Sequence, residues 1–202
     1  RSGMRQPSRI PFSQHHDALH CTDLQGRPFL TSRAYESMSS LPAVRPFFVY
    51  GTLMKNFRNY NAFLRGKAVD IVPASVTGFY LVHFNEGYPG MFFNADNPDS
   101  KVLGELVYPK DTETWKSLQV SLDELEGYNP SDKEGRNNYY ERVNVSCFNE
   151  DSKGMVDCDT YICKLDPLEG IRLNGNVVSW RDFMKERNMV GAGEDWAQKS
   201  GT

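Results

Sequence analysis

Cysteine is scarce: the four in 202 residues form no C-x2-C pair, which excludes a zinc ribbon and a thioredoxin-type motif. Cys158 and Cys163 lie five apart in what reads as one strand, so they face opposite sides and cannot bridge each other. Reduced cysteines, and with them a cytoplasmic location, are expected. Long apolar runs are also missing, since stretches such as Pro46 to Tyr50 stop far short of the ~20 residues that span a bilayer. Nor is there an excess of one charge: 23 basic and 26 acidic residues leave −3, no general attraction for nucleic acid or an anionic membrane. No repeat or low-complexity stretch appears. What is present is ordinary globular composition, 39% hydrophobic and 12% aromatic, with 12 Phe and 10 Tyr to fill a core. The length suits one domain of ~150 residues with a tail.

Charge is unevenly placed along the chain. Up to Arg45 there are six Arg, no Lys and three acids (Asp17, Asp23 and Glu36), so this segment is +3 and the remainder −6. Residues 1–45 also hold seven Ser and no sustained apolar period, and read as an irregular extension. Arg1-Ser2-Gly3 before Met4 reads as a cloning remnant ahead of a native initiator. Such a leader can also be a transit peptide, although nothing in it makes an amphipathic helix. His15, His16, His20 and Cys21 lack a second ligand group at familiar spacing, so solvated histidines are expected and no metal site.

From Pro46 the pattern is strand, helix, several strands, helix, strands and a last helix. Phe47 to Tyr50 is a short buried strand ended by Gly51. Thr52 then suits the N-cap of a helix carrying Leu53, Phe57, Tyr60 and Leu64 on one face, with Gly66 as its stop. Strands are expected at about 69–84, broken near Pro73 and Gly78, and at 91–93, 102–108, 139–148 and 155–164. With few helices to cross over, the strands should be mixed but mostly antiparallel, curling into a small β-barrel with flanking helices, an α+β fold.

The segment from Asp111 to Pro130 is the most informative. Asp111 or Thr112 caps it, Gly127 fits the left-handed position after its end, and Pro130 forbids continuation, so a helix spans 113–126. At ~100° per residue from Trp115, Leu118, Leu122 and Leu125 centre an apolar stripe near ~320°. Asp123 at ~80° and Glu124 at ~180° fall off that stripe, whereas Glu126 at ~20° lies on its flank, the one carboxylate turned inward. It also sits by the carbonyl end of the helix, and burial and the dipole both raise its pKa. The alternative is that the last turn frays and Glu126 points into water.

Five short motifs now stand in order: Val49-Tyr50-Gly51-Thr52-Leu53, Gly87-Tyr88-Pro89-Gly90-Met91, Gly104-Glu105-Leu106-Val107-Tyr108, Leu122-Asp123-Glu124-Leu125-Glu126-Gly127 and Tyr140-Glu141-Arg142. Their succession resembles the gamma-glutamylcyclotransferase-like family, and most nearly its gamma-glutamylamine cyclotransferase and AIG2-like branch, over roughly residues 46–187. The glutathione-specific branch usually carries a Trp soon after its Tyr-Gly-Ser-Leu loop, where this chain has Met54-Lys55-Asn56. The resemblance implies a catalytic domain over 46–202 and release of 5-oxoproline from a small γ-glutamyl substrate without metal or cofactor. By position Glu126 matches the family's catalytic glutamate, and Tyr50, Gly51, Thr52 and Leu53 its substrate-holding loop. Tyr140 can donate its hydroxyl to the substrate, and Arg142 can instead pair with an acid on the barrel surface. Tyr88 and Pro89 shape the pocket wall or form a plain turn.

The residue types suit that chemistry. The substrate's own α-amine closes a five-membered lactam on its γ-carbonyl, so a single acid/base group suffices. Exposed amides of Gly51, Thr52 and Leu53 at a helix start suit a carboxylate or an oxyanion, and Gly51 admits close approach. Two other classes stay open. One is a binding module that kept the pocket and lost turnover. The other is an interaction protein acting through residues 1–45, which a truncation that spares activity would refute. A polar stretch from Tyr128 to Asn138, inserted between Gly127 and Tyr139, should be a surface loop and is a candidate lid.

Overall fold

A computed structural model of the chain describes residues 44–187. Of the expected irregular extension over 1–45, residues 1–43, with the histidine cluster, lie outside the described residues, and 44–45 form no regular element. Strand β1 (Phe47–Val49) pairs antiparallel with β5 (Lys101–Pro109) and parallel with β7 (Gly154–Cys163). β7 pairs with β6 (Tyr140–Asn149), β6 with β2 (Ala68–Thr77), and β2 with β5, all antiparallel. Those five pairings return to their start, so the sheet closes into a five-stranded barrel with no free edge among its own strands. The expected α+β barrel is therefore the observed fold.

A second, three-stranded sheet places β3 (Phe79–His83) between β4 (Pro89–Phe93) and the two-residue β8 (Ile171–Arg172). β9 (Val177–Ser179) adds parallel to β5 and leads into α2 (Trp180–Glu186), capped by the Ser179 side chain. The main helix, α1 (Thr112–Leu125), begins where the Asp111 carboxylate accepts the Thr114 amide at 2.7 Å. It ends at Gly127, whose φ of +61° is the left-handed conformation that glycine adopts at least cost. No described helix is long and apolar enough to cross a membrane.

Two local expectations are corrected. The break foreseen near Pro73 is absent, because Pro73 stays within β2 opposite Glu105 and needs only its carbonyl, which accepts the Glu150 amide at 2.9 Å. The turn comes at Gly78, at φ +83°. The helix expected from Thr52 starts only at residue 58. The chain makes two successive tight turns, Met54 to Gly51 and Phe57 to Met54, the second through a left-handed Asn56 (φ +73°), and is helical only over residues 58–64, with π-type bonding at Tyr60–Leu64. Leu53, Phe57 and Leu64 are buried all the same. Their spacing met the demand for burial, and turns satisfied it as well as a helix would.

Candidate active site

β1 and the turn after it, the β3–β4 connection, the end of α1 and the inner ends of β6 and β7 enclose a cavity of about 290 Å³. All seven residues singled out from sequence reach it: Tyr50, Gly51, Thr52, Leu53, Tyr88, Glu126 and Tyr140. Tyr139, Tyr161, Arg58 and Glu86 also line it. None of residues 128–138 does, although the stretch links Glu126 to Tyr140. It is tied to itself instead: the Asp132 carboxylate accepts the amides of Glu134, Gly135 and Asn137, and Asn138 Oδ1 accepts that of Asn129.

Glu126 sits at the junction between α1 and the left-handed Gly127, with its amide still bonded to the Leu122 carbonyl at 2.9 Å. Its carboxyl is largely enclosed by the cavity wall. Burial raises its pKa from the ordinary 4.5 to about 7, and among the described residues no cation stands close enough to repay the lost hydration. Glu124, one position from the helix end, is exposed.

The tyrosines are placed by their hydroxyls. Tyr50 donates to the Tyr161 carbonyl at 2.8 Å and Tyr140 donates to the Pro89 carbonyl at 3.0 Å. Burial drives both phenols well above the usual range, so they stay neutral. With no ligand present, the Tyr140 hydroxyl that was expected to donate to a substrate donates to Pro89, and its oxygen keeps acceptor capacity. Tyr88 is half-buried, and its phenol is raised by burial and by the nearby Glu86 carboxylate.

The turn from Gly51 to Asn59 is pinned from outside. Glu105 on β5 accepts the Lys55 amide at 2.6 Å and the Arg181 guanidinium at 2.9 Å, which fastens the turn to the barrel and to α2. Inside it, the Thr52 carbonyl accepts the amides of Asn59 and Tyr60, and Asn59 Nδ2 donates to the Thr52 hydroxyl at 2.8 Å. Among the described residues the amides of Thr52 and Leu53 have no acceptor. They lie on a turn, so no helix dipole assists them. Glycine at 51 has a packing reason as well: a Cβ there would stand 2.6 Å from Pro89 Cγ, so close packing of the turn on β4 requires its absence.

Asp123 corrects the helical wheel. The wheel sets it off the buried stripe, yet it is buried, with both carboxylate oxygens 3.0 Å from Arg142 Nη1 and Oδ1 2.7 Å from the Tyr161 hydroxyl. Arg142 and Tyr161 lie opposite each other on β6 and β7, so this ladder wraps the flank of α1 and widens its buried arc. A wheel that counts only apolar residues does not register an acid paired this way. Tyr161 carried no signal in the sequence beyond the alternation of its strand. Among the described residues no cluster of metal ligands occurs.

Residues 47–182 match the family described as gamma-glutamyl cyclotransferase, AIG2-like. The chain belongs to that family. The AIG2-like chain is similar in fold to YkqA from Bacillus subtilis, at 16% identity and TM-score 0.49, with 72% of this chain matched to 42% of YkqA. It is similar also to an Arabidopsis thaliana protein solved in solution, at 22% identity and TM-score 0.47, over 78% of this chain and 92% of that one. An AIG2-like protein from Mus musculus matches at 15% identity and TM-score 0.41, over 65% of this chain and 95% of the mouse chain. No curated protein matches the sequence. Four of the five motifs behind the family resemblance of the AIG2-like chain contribute residues to the cavity, and the fifth, Gly104 to Tyr108, supplies Glu105, which holds the 51–59 turn from outside.

Proposed function

We propose that the protein is a gamma-glutamyl cyclotransferase that releases 5-oxoproline from a γ-glutamyl amine or amino acid. The carrying observation is the buried Glu126 carboxyl, raised to about 7, in a cavity that also presents the open amides of Thr52 and Leu53. An ordinary glutamate near ~4.3 facing an α-amine near ~8 is ~3.7 pH units too weak a base, about 5 kcal/mol uphill for the proton. At about 7 the gap shrinks to roughly one unit, or about 1.4 kcal/mol.

In this reading the Thr52 and Leu53 amides take the substrate's α-carboxylate or the oxyanion, and the phenol oxygens of Tyr50 and Tyr140 accept from its ammonium. Glu126 removes one proton from the α-ammonium. The freed nitrogen attacks the γ-carbonyl carbon and a C–N bond closes the lactam; Glu126 returns its proton to the departing nitrogen as the original amide C–N bond breaks, and the second proton, shed by the ring nitrogen, passes through the same carboxyl to the released amine, which leaves as an ammonium. No water is consumed and no oxidation state changes. The decisive assay follows 5-oxoproline from γ-glutamyl amino acids, γ-glutamyl-lysine isopeptides and glutathione. Activity on one class that Glu126→Gln abolishes is the expected result, and a folded protein inert across the panel overturns the proposal.

A further inference from the structure

Three influences push Glu126 out of the cavity wall. It follows the last helical residue, where ends fray; it lies at the carbonyl end of the dipole; and its burial disfavours the charged form. The last turn of α1 contains no basic residue to offset them. What opposes them is one side chain three residues earlier. Asp123 reaches Arg142 on β6 and Tyr161 on β7, its carbonyl accepts the Tyr128 amide at 2.8 Å, and the Arg142 guanidinium lies 5.7 Å from the Tyr128 ring centre. The helix end and the chain leaving Gly127 are thus fastened to the barrel from both sides. The Tyr161 carbonyl also receives the Tyr50 hydroxyl at 2.8 Å, so the same unit reaches the turn that carries the open amides.

We propose that Asp123, Arg142 and Tyr161 are positioning residues, a clamp that holds the Glu126 carboxyl in the cavity wall opposite the 50–53 turn. The catalytic part of this inference rests on the cyclotransferase reading; the positioning part does not. Besides the clamp, the groups facing Glu126 are Tyr50 after β1, Tyr140 on β6 and Cys163 on β7, all neutral, with Arg58 and Glu86 elsewhere on the wall. Asp159 stands beyond Asp123.

The test turns on a sign. Removing the Arg142 cation raises the Glu126 pKa if the effect is only that of a lost positive field, whereas release of the carboxyl to water lowers it. Titration of the Glu126 side-chain carbon by ¹³C NMR in Arg142→Gln is expected to lie at least about one pH unit below wild type. The turnover number is expected to fall about 10- to 100-fold with KM within about threefold, as for a misplaced catalytic group. Arg142→Lys should restore part of both. Tyr161→Phe deletes only a hydroxyl, leaves every charge in place, and should move both quantities in the same direction; it decides the matter if Arg142→Gln does not fold. A titration that stays put or rises, with native turnover in the folded variant, overturns the clamp. If the wild type releases no 5-oxoproline, the functional reading falls, while the titration still decides the positioning.

Discussion

Glu126→Gln should make the protein inactive and, above neutral pH, more stable. The folded-state pKa of about 7 lies above the ordinary 4.5, so between those values the native state binds the proton more tightly than the unfolded chain. That contribution is fully present below about 4.5 and is lost as pH rises through about 7. At ~1.36 kcal/mol per unit the difference amounts to about 3.4 kcal/mol at most, and partial access through the cavity mouth reduces it to about 2–3. Glutamine has nearly the same shape and does not ionise. Urea unfolding of wild type and variant, repeated from pH 4.5 to 8.5, should therefore show curves that lie close at the acid end and separate by about 2–3 kcal/mol at the alkaline end, with the variant ahead. In thermal unfolding that is roughly 4–12 °C for a chain of this size. kcat/KM should meanwhile drop by at least ~10². Parallel stability curves across the whole range would refute the buried, raised carboxyl, whatever the activity did. Glu124→Gln, on the exposed face, serves as the control and should change neither quantity.

Three further outcomes are expected. If Glu126 acts as base on an α-ammonium, kcat/KM in wild type should rise through about pH 7 and fall beyond ~8 as the substrate amine loses its proton, a narrow bell that initial rates over pH 5–10 will trace. Gly51→Ala puts a methyl 2.6 Å from Pro89 Cγ, and the forced shift of the turn should cost about 1–3 kcal/mol in a denaturant titration and weaken substrate binding. His83 accepts the Trp180 indole N–H on Nδ1 at 3.2 Å, and burial lowers its pKa, so the unfolded chain protonates first and the contribution is lost as pH falls below ~6.5. The stability difference between wild type and His83→Asn should accordingly shrink on acidification, and a constant difference between pH 8 and 5 would count against it.

Local chemistry already determined much of this protein. Asp111, the Leu118–Leu122–Leu125 spacing and Gly127 specify α1 nearly to the residue, because cap, stripe and left-handed stop act within a few positions of chain. Period-two alternation locates β5, β6 and β7, and the shortage of crossover helices makes a mostly antiparallel barrel the natural closure. Glu126 is conspicuous on the same grounds, as an acid on the flank of an apolar stripe. Tertiary structure decided the rest. Burial can be met by a helix or by turns with the same apolar spacing, and in the folded barrel residues 51–57 meet it with turns, Gly51 packed against Pro89. The raised pKa of Glu126 needs walls contributed by distant strands, and no window of sequence contains them. The burial of Asp123 depends on which residues of β6 and β7 face each other, and that register places Arg142 and Tyr161 together only once the barrel has closed.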